Sequence, residues 1–142
     1  PPLAQLRHFP RLRELWLSQA EISDSDLSYV GDCLTLETLG LDRTPISDAG
    51  LCRLRNLTAL RELCLADTRV TDEGLKNVVA WPHLAHLTLQ NTAVTDAGLK
   101  QLYQLKDLRY LYFCLYSRPT VLRVSPKGIS DLKNHLPGLR VQ

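Results

Sequence analysis

The chain contains no methionine, no apolar run long enough to span a bilayer, and no cysteines paired as C-x-x-C. Each absence excludes something. A membrane-spanning helix needs about 20 largely apolar residues, so no membrane insertion is expected. The opening PPLAQLRHF is neither a charged-then-apolar export signal nor a typical transit peptide. Because the chain neither starts with Met nor contains one, it is expected to belong to a longer protein or complex. Cys33, Cys52, Cys64 and Cys114 lack zinc-ligand spacing, so no metal site is expected. They also fall at four different positions of the repeat described below. That disfavours a disulfide ladder and points to a reducing, intracellular and in particular cytoplasmic setting. Neither glycine-rich phosphate-binding signature occurs, and no cofactor is expected. Aromatics are scarce, with two Trp, five Tyr and two Phe, so the position of each one carries information.

The net charge of +2 conceals an uneven spread. Residues 1–97 hold nine Lys/Arg against thirteen Asp/Glu, whereas residues 98–142 hold eight against two. The basic end could meet an acidic partner or phosphate, or could simply be a solvated face.

What the chain has in quantity is one phrase, repeated. Leu12, Leu36, Leu60, Leu84 and Leu108 each open a block of form L-x-x-L-x-L, reading LRELWL, LETLGL, LRELCL, LAHLTL and LRYLYF. The spacing is 24 throughout. Behind the blocks stand Ala20, Thr44, Thr68 and Thr92, then Ile22, Ile46, Val70 and Val94, then Ser-Asp or Thr-Asp pairs beginning at 23, 47, 71 and 95. Further columns are Leu27, Leu51, Leu75, Leu99; Val30, Leu54, Val78, Leu102; and Cys33, Leu57, Trp81, Leu105. Leu3, Leu6 and Phe9 keep the same register.

Within each block the last two leucines alternate with polar residues, the period-2 pattern of a half-buried strand. The following [IV]-[ST]-D-x-G-L predicts a helix start, with Ser or Thr capping free backbone N–H groups and Asp suiting the positive end of the helix dipole. Such a strand–turn–helix unit cannot bury its apolar sides alone, so copies are expected to stack as a parallel sheet with helices outside. Strands are spaced about 4.8 Å apart and helices are about 10 Å wide, so the stack should curve with the strands inward. The Thr44, Thr68, Thr92 column is expected to satisfy backbone groups, and Gly50, Gly74 and Gly98 to serve close packing or a tight first turn.

These blocks and the phrase T-x-[IV]-[ST]-D-x-G-L resemble the leucine-rich repeat family. They are most similar to its 24-residue variant, met in bacterial repeat proteins and, more loosely, in substrate-recognition domains of F-box proteins. Thr replaces the Asn or Cys of the general signature. The resemblance implies an α/β leucine-rich repeat solenoid with a curved parallel sheet of five to six strands inside and helices outside. It also implies a scaffold whose work is binding other proteins.

The expected organisation is one domain over residues 1–142. Residues 1–11 form a partial first repeat, residues 12–107 four 24-residue repeats, and residues 108–142 a longer last repeat with an insertion and a closing strand. In that last repeat Ser125-Pro126-Lys127-Gly128-Ile129 stands 30 residues after Thr95 instead of 24. A Ser cap followed by Pro predicts a helix start there, and Pro137-Gly138 should stop the helix. Leu139-Arg140-Val141 is expected as the closing edge strand.

Residues between the strand leucines should face outward from the sheet in three rows. The rows are Glu14, Thr38, Glu62, His86, Tyr110; Trp16, Gly40, Cys64, Thr88, Tyr112; and Ser18, Asp42, Ala66, Gln90, Cys114. Large aromatics and Arg dominate binding energy at protein interfaces. The expected partner-contacting residues are therefore Trp16, Glu62, His86, Gln90, Tyr110 and Tyr112, with Tyr116, Arg118 and Arg123 from the insertion. The alternative is that the insertion folds over the tyrosines and seals the last repeat. Cys64 and His86 sit two residues out of register, roughly 8 Å apart, beyond reach of a nucleophile–base pair, so no catalytic residues are expected. Acidic residues on the face disfavour nucleic acid. The reading is a non-catalytic protein–protein interaction module. Its alternatives are a structural subunit of a larger assembly, held by its open N-terminal end, or the substrate receptor of a ubiquitin ligase, which the resemblance alone suggests.

Overall fold

The computed structural model describes residues 2–113 and 122–142. Each leucine block forms a three-residue strand: β1 Glu14–Trp16, β2 Thr38–Gly40, β3 Glu62–Cys64, β4 His86–Thr88 and β5 Tyr110–Tyr112. Arg140–Val141 is β6, the closing strand. All six are parallel and lie in chain order in one sheet. The register never slips, so Leu15, Leu39, Leu63, Leu87, Leu111 and Val141 stand side by side. A shift of one residue would turn this whole apolar row to water. Leu39, Leu63, Leu87 and Leu111 are fully buried, and Leu15 on the edge strand is half-buried.

Behind the sheet run α1 Leu27–Gly31, α2 Asp48–Arg53, α3 Asp72–Leu75, α4 Asp96–Leu99 and α5 Pro126–His135. Only α5 is a helix of ordinary length. In the third and fourth repeats one α turn passes directly into a 3-10 segment, Lys76–Ala80 and Lys100–Gln104, and residues 2–8 are also 3-10. These two repeats carry a spacing that suits the tighter coil. Leu75, Val78, Trp81 and Leu99, Leu102, Leu105 recur every third residue, which aligns on one face at 3.0 residues per turn and drifts at 3.6. In α5 and its C-cap the core-facing side is Ile129, Leu132 and Leu136, a three-then-four spacing that suits an α-helix. Ser125 caps it by accepting the Gly128 N–H at 3.0 Å, with Pro126 in the first turn.

The repeats are joined by a polar ladder as well as by apolar packing. Ser47, Thr71, Thr95 and Ser125 each donate backbone N–H and side-chain O–H to the Asp one repeat earlier. The acceptors are Asp24, Asp48, Asp72 and Asp96, at 2.5 to 2.8 Å. Hydrogen bonds to a charged acceptor contribute about 1.5–3 kcal/mol each when shielded, and less at these half-exposed sites. The same carboxylates explain the glycine column. A Cβ at Gly50, Gly74, Gly98 or Gly128 would collide with the Asp oxygen of the preceding repeat. In the first repeat Asp26 stands in the glycine position, and its own carboxylate takes the Ser23 N–H and O–H instead.

Thr44, Thr68 and Thr92 are buried and donate to Leu41 O, Leu65 O and Leu89 O at 2.6 to 2.8 Å, as the repeat pattern suggests. Just before each of these, and before Ala20 in the same column, lies a residue with left-handed backbone: Gln19, Arg43, Asp67 and Asn91, with φ of 66, 56, 56 and 52°. Trp81 is fully buried, and its Nε1 donates to Leu54 O at 3.0 Å. Phe9 shares Trp81's column but is 57% exposed. It lines a groove of about 680 Å³ with Leu6, Arg7, Tyr29 and Leu34.

Candidate functional site

The face of the sheet turned away from the helices presents the three rows, but not evenly. Glu14 is exposed, and Thr38, Glu62, His86 and Tyr110 are half-buried. In the next row Trp16 is 56% exposed, yet Cys64 and Thr88 are only 8% and 4% exposed. Gln90 is 3% exposed and Ala66 1%, so the third row is closed behind β3 and β4, whereas Ser18 is exposed and Asp42 half-buried. The sequence-based assignment of Gln90 as a contact residue meets a side chain with almost no accessible surface.

Gly40 has a specific role on this face. The Trp16 indole lies across it, and a Cβ at residue 40 would overlap ring carbons Cε3 and Cζ3. The benzo ring of the indole is thus seated on β2, and the side chain remains 56% exposed.

At the opposite end the aromatics gather. His86 stacks on Tyr110, with ring centroids 4.7 Å apart and planes inclined by 23°. Tyr110 and Tyr112 are nearly coplanar in orientation, 6.2 Å apart. The Arg140 guanidinium lies 5.7 Å from the Tyr110 ring centre, within cation–π range. Sequence reasoning omitted Arg140, although pairing the closing strand in register with YLY places it beside Tyr110. Arg123 is exposed and lines a small cleft with Asn91, Thr92, Phe113 and Leu122. Tyr116, Arg118 and Cys114 lie outside the described residues.

The middle of the face has little reactivity to offer. Glu62 pairs in register with His86, and Cys64 with Thr88, so thiol and imidazole are offset as expected. Burial pushes the Cys64 thiol up to about 12, with the nearby carboxylates of Asp42 and Glu62 adding to it. Cys64 Sγ donates a weak hydrogen bond to Glu62 Oε1 at 3.9 Å. A thiol that keeps its proton at neutral pH is a poor nucleophile. Burial likewise raises Asp42, opposed by hydrogen bonds from the Ala66 N–H and Ser18. Cys33, Cys52 and Cys64 are free. Among the described residues, no three His, Cys, Asp or Glu side chains converge as for a metal ion. No described helix is long and apolar enough to cross a membrane.

His83 and His135 are exposed away from the sheet face; His83 Nδ1 lies 3.1 Å from Asp107, and His135 stacks on Tyr103.

A family model described as leucine rich repeat matches residues 56–79. No curated protein matches the chain by sequence. Among solved structures the fold is similar to that of leiomodin-1 actin-binding site 2. That similarity has a TM-score of 0.72 at 16% identity, over 96% of this chain and 86% of the other. It is also similar to a leucine-rich repeat protein of Leptospira interrogans, with a TM-score of 0.60 at 20% identity, over 81% of this chain and 27% of that one. The fold is therefore an α/β leucine-rich repeat solenoid.

Proposed function

We propose that this solenoid is a non-catalytic protein–protein interaction module that meets its partner with the sheet face. The observation that carries the reading is the placement of the aromatics. Of nine aromatic residues, Trp16, Tyr110 and Tyr112 stand on a face where core packing has no need of them, and Trp16 remains 56% exposed. Large, stiff aromatic surfaces next to Arg are the usual anchors of protein interfaces. The shared fold with an actin-binding site of leiomodin-1 shows that a scaffold of this shape is compatible with binding another protein. The raised Cys64 thiol, out of line with His86, supports a role without chemistry.

The test is site-directed photocrosslinking with the full chain in an extract of its source. A benzophenone amino acid at Tyr112 or Trp16 should give a discrete crosslinked species, whereas one at Val79, exposed on the helical side, should not. With the captured partner in hand, Trp16→Ala and Tyr112→Ala should each weaken binding by about 2 kcal/mol, on the scale of interface anchors. Crosslinks confined to Val79 would end the reading.

One observation favours a second reading, that of a structural subunit held by its N-terminal end. Phe9 and Leu34, 57% and 60% exposed, face one groove. A crosslinker at Leu34 that alone captures a partner would select this reading.

A further inference from the structure

The sheet face is electrically divided. Glu14, Asp42 and Glu62 lie on or just beyond β1, β2 and β3, whereas β4 to β6 carry His86, the tyrosines and Arg140. The five ion pairs among the described residues are Arg13–Glu37, Arg43–Asp67, Lys76–Glu73, His83–Asp107 and Lys127–Asp131. None uses Glu14, Asp42 or Glu62. Arg140 stands three strands from Glu62 along the same row, about 14 Å at the usual strand spacing. At physiological salt charges are screened over about 8 Å, so Arg140 does not neutralise that end.

Between these carboxylates lies the indole. Glu14 and Glu62 share a row on either side of β2, about 10 Å apart. The Trp16 ring spreads over Gly40 of that central strand. A cation resting on the exposed indole would stand one row from both carboxylates while using the ring's negative π surface.

We infer that the partner presents a basic segment to this end of the face, with an Arg or Lys side chain seated on Trp16 beside the row of Glu14 and Glu62. This rests on the sheet-face reading above and adds the chemistry of the occupant. The cation replaces the neutralising partner that the described residues do not supply. Binding at this end weakens as salt rises, and the complementary acidic or apolar part of the partner lies toward Tyr110 and Arg140.

The test uses the full chain and two synthetic probes, acetyl-(Arg-Ala)3-amide and acetyl-(Glu-Ala)3-amide, followed by indole N–H resonances. Trp81 is fully buried and Trp16 exposed, so one resonance reports the site and the other serves as an internal control. The Arg probe should shift Trp16 and leave Trp81 in place. The double variant Glu14→Gln/Glu62→Gln keeps side-chain size and should weaken the Arg probe about tenfold, the product of one exposed and one half-buried ion pair. Arg140→Gln should change it less than about twofold, because screening isolates that end. If the Arg probe leaves Trp16 unmoved, or binds the double variant equally well, the inference falls. If the Glu probe binds instead and Arg140→Gln abolishes that binding, the inference falls while the sheet-face reading stands. If neither probe perturbs the face and crosslinks run only to Val79, both fall.

Discussion

Replacing Gly74 with alanine should destabilise the native chain and stabilise one that lacks the Asp48 carboxylate. A Cβ at Gly74 would overlap Asp48 Oδ1 and lie 3.2 Å from both Asp48 Cγ and Leu51 Cδ1. Leu51 Cδ1 is a flexible end, but Asp48 cannot withdraw freely. It accepts the Thr71 N–H at 2.8 Å and the Thr71 O–H at 2.7 Å. Forcing a methyl into such a space costs about 1–3 kcal/mol, against a gain of about 0.5–1 kcal/mol for Ala over Gly in a helix. Gly74→Ala alone should therefore cost about 1–2 kcal/mol. Asp48→Ala alone loses two charge-assisted hydrogen bonds and a favourable charge in the first turn of α2. At a half-exposed position that amounts to about 2–3 kcal/mol. With the carboxylate gone the collision disappears, and Gly74→Ala should then gain about 0.5–1 kcal/mol. The four proteins form a cycle with a coupling of about 2 kcal/mol, readable as shifts of urea midpoints by far-ultraviolet circular dichroism. Additivity within about 0.5 kcal/mol would refute the claim that the Asp and Gly columns are one device.

Trp81→Phe should cost about 2–4 kcal/mol in the same assay, because it strands the buried Leu54 carbonyl and leaves a cavity. Gln19→Asn should stabilise by about 0.5–1 kcal/mol: residue 19 has φ of 66°, a region Asn tolerates better than Gln. Asp26 and Asp96 are both held below the ordinary carboxylate value of 3.8, chiefly by the hydroxyls of Ser23 and Ser125 and then by their N–H groups. A depressed carboxylate contributes stability that is present above its unfolded pKa and lost as pH falls through the folded one. Thermal melts below about pH 4 should accordingly decline less steeply in Asp26→Asn/Asp96→Asn than in the native chain. Asp42 has the opposite sign: burial raises its folded pKa, so stability is lost as pH rises through it, and Asp42→Asn should raise Tm at neutral pH.

Columns that repeat by chemical type were legible in the sequence; partnerships between columns were not. The Thr44, Thr68, Thr92 column announced backbone satisfaction because a small hydroxyl at a strand exit has few other uses. The Asp column was read as helix-dipole chemistry, which each repeat could satisfy alone, and its reach to the next repeat's Ser or Thr appears only when coils are stacked. The glycines were rightly linked to close packing, but the atom that approaches them belongs to that same hidden partnership. The left-handed turn carries Gln19, Arg43, Asp67 and Asn91, and only the last two are residue types that advertise such a backbone. On the face, Trp16 and the Tyr110–Tyr112 pair could be placed from spacing. The burial of Gln90 could not, because three-residue strands end before its row and alternation then loses its meaning.

Order, direction and register of the strands were already decided by the 24-residue period. A parallel stack is the arrangement in which every copy buries the same leucines, and a period of 24 admits no other in-register pairing. Which outward residues stay accessible was decided by packing between neighbours. Trp16 stays open because it rests on a glycine at the sheet's first edge, while Cys64 and Thr88 in the same row are covered. A side chain's accessibility depends on atoms a full repeat or more away, and one-dimensional spacing carries no record of how those atoms lean.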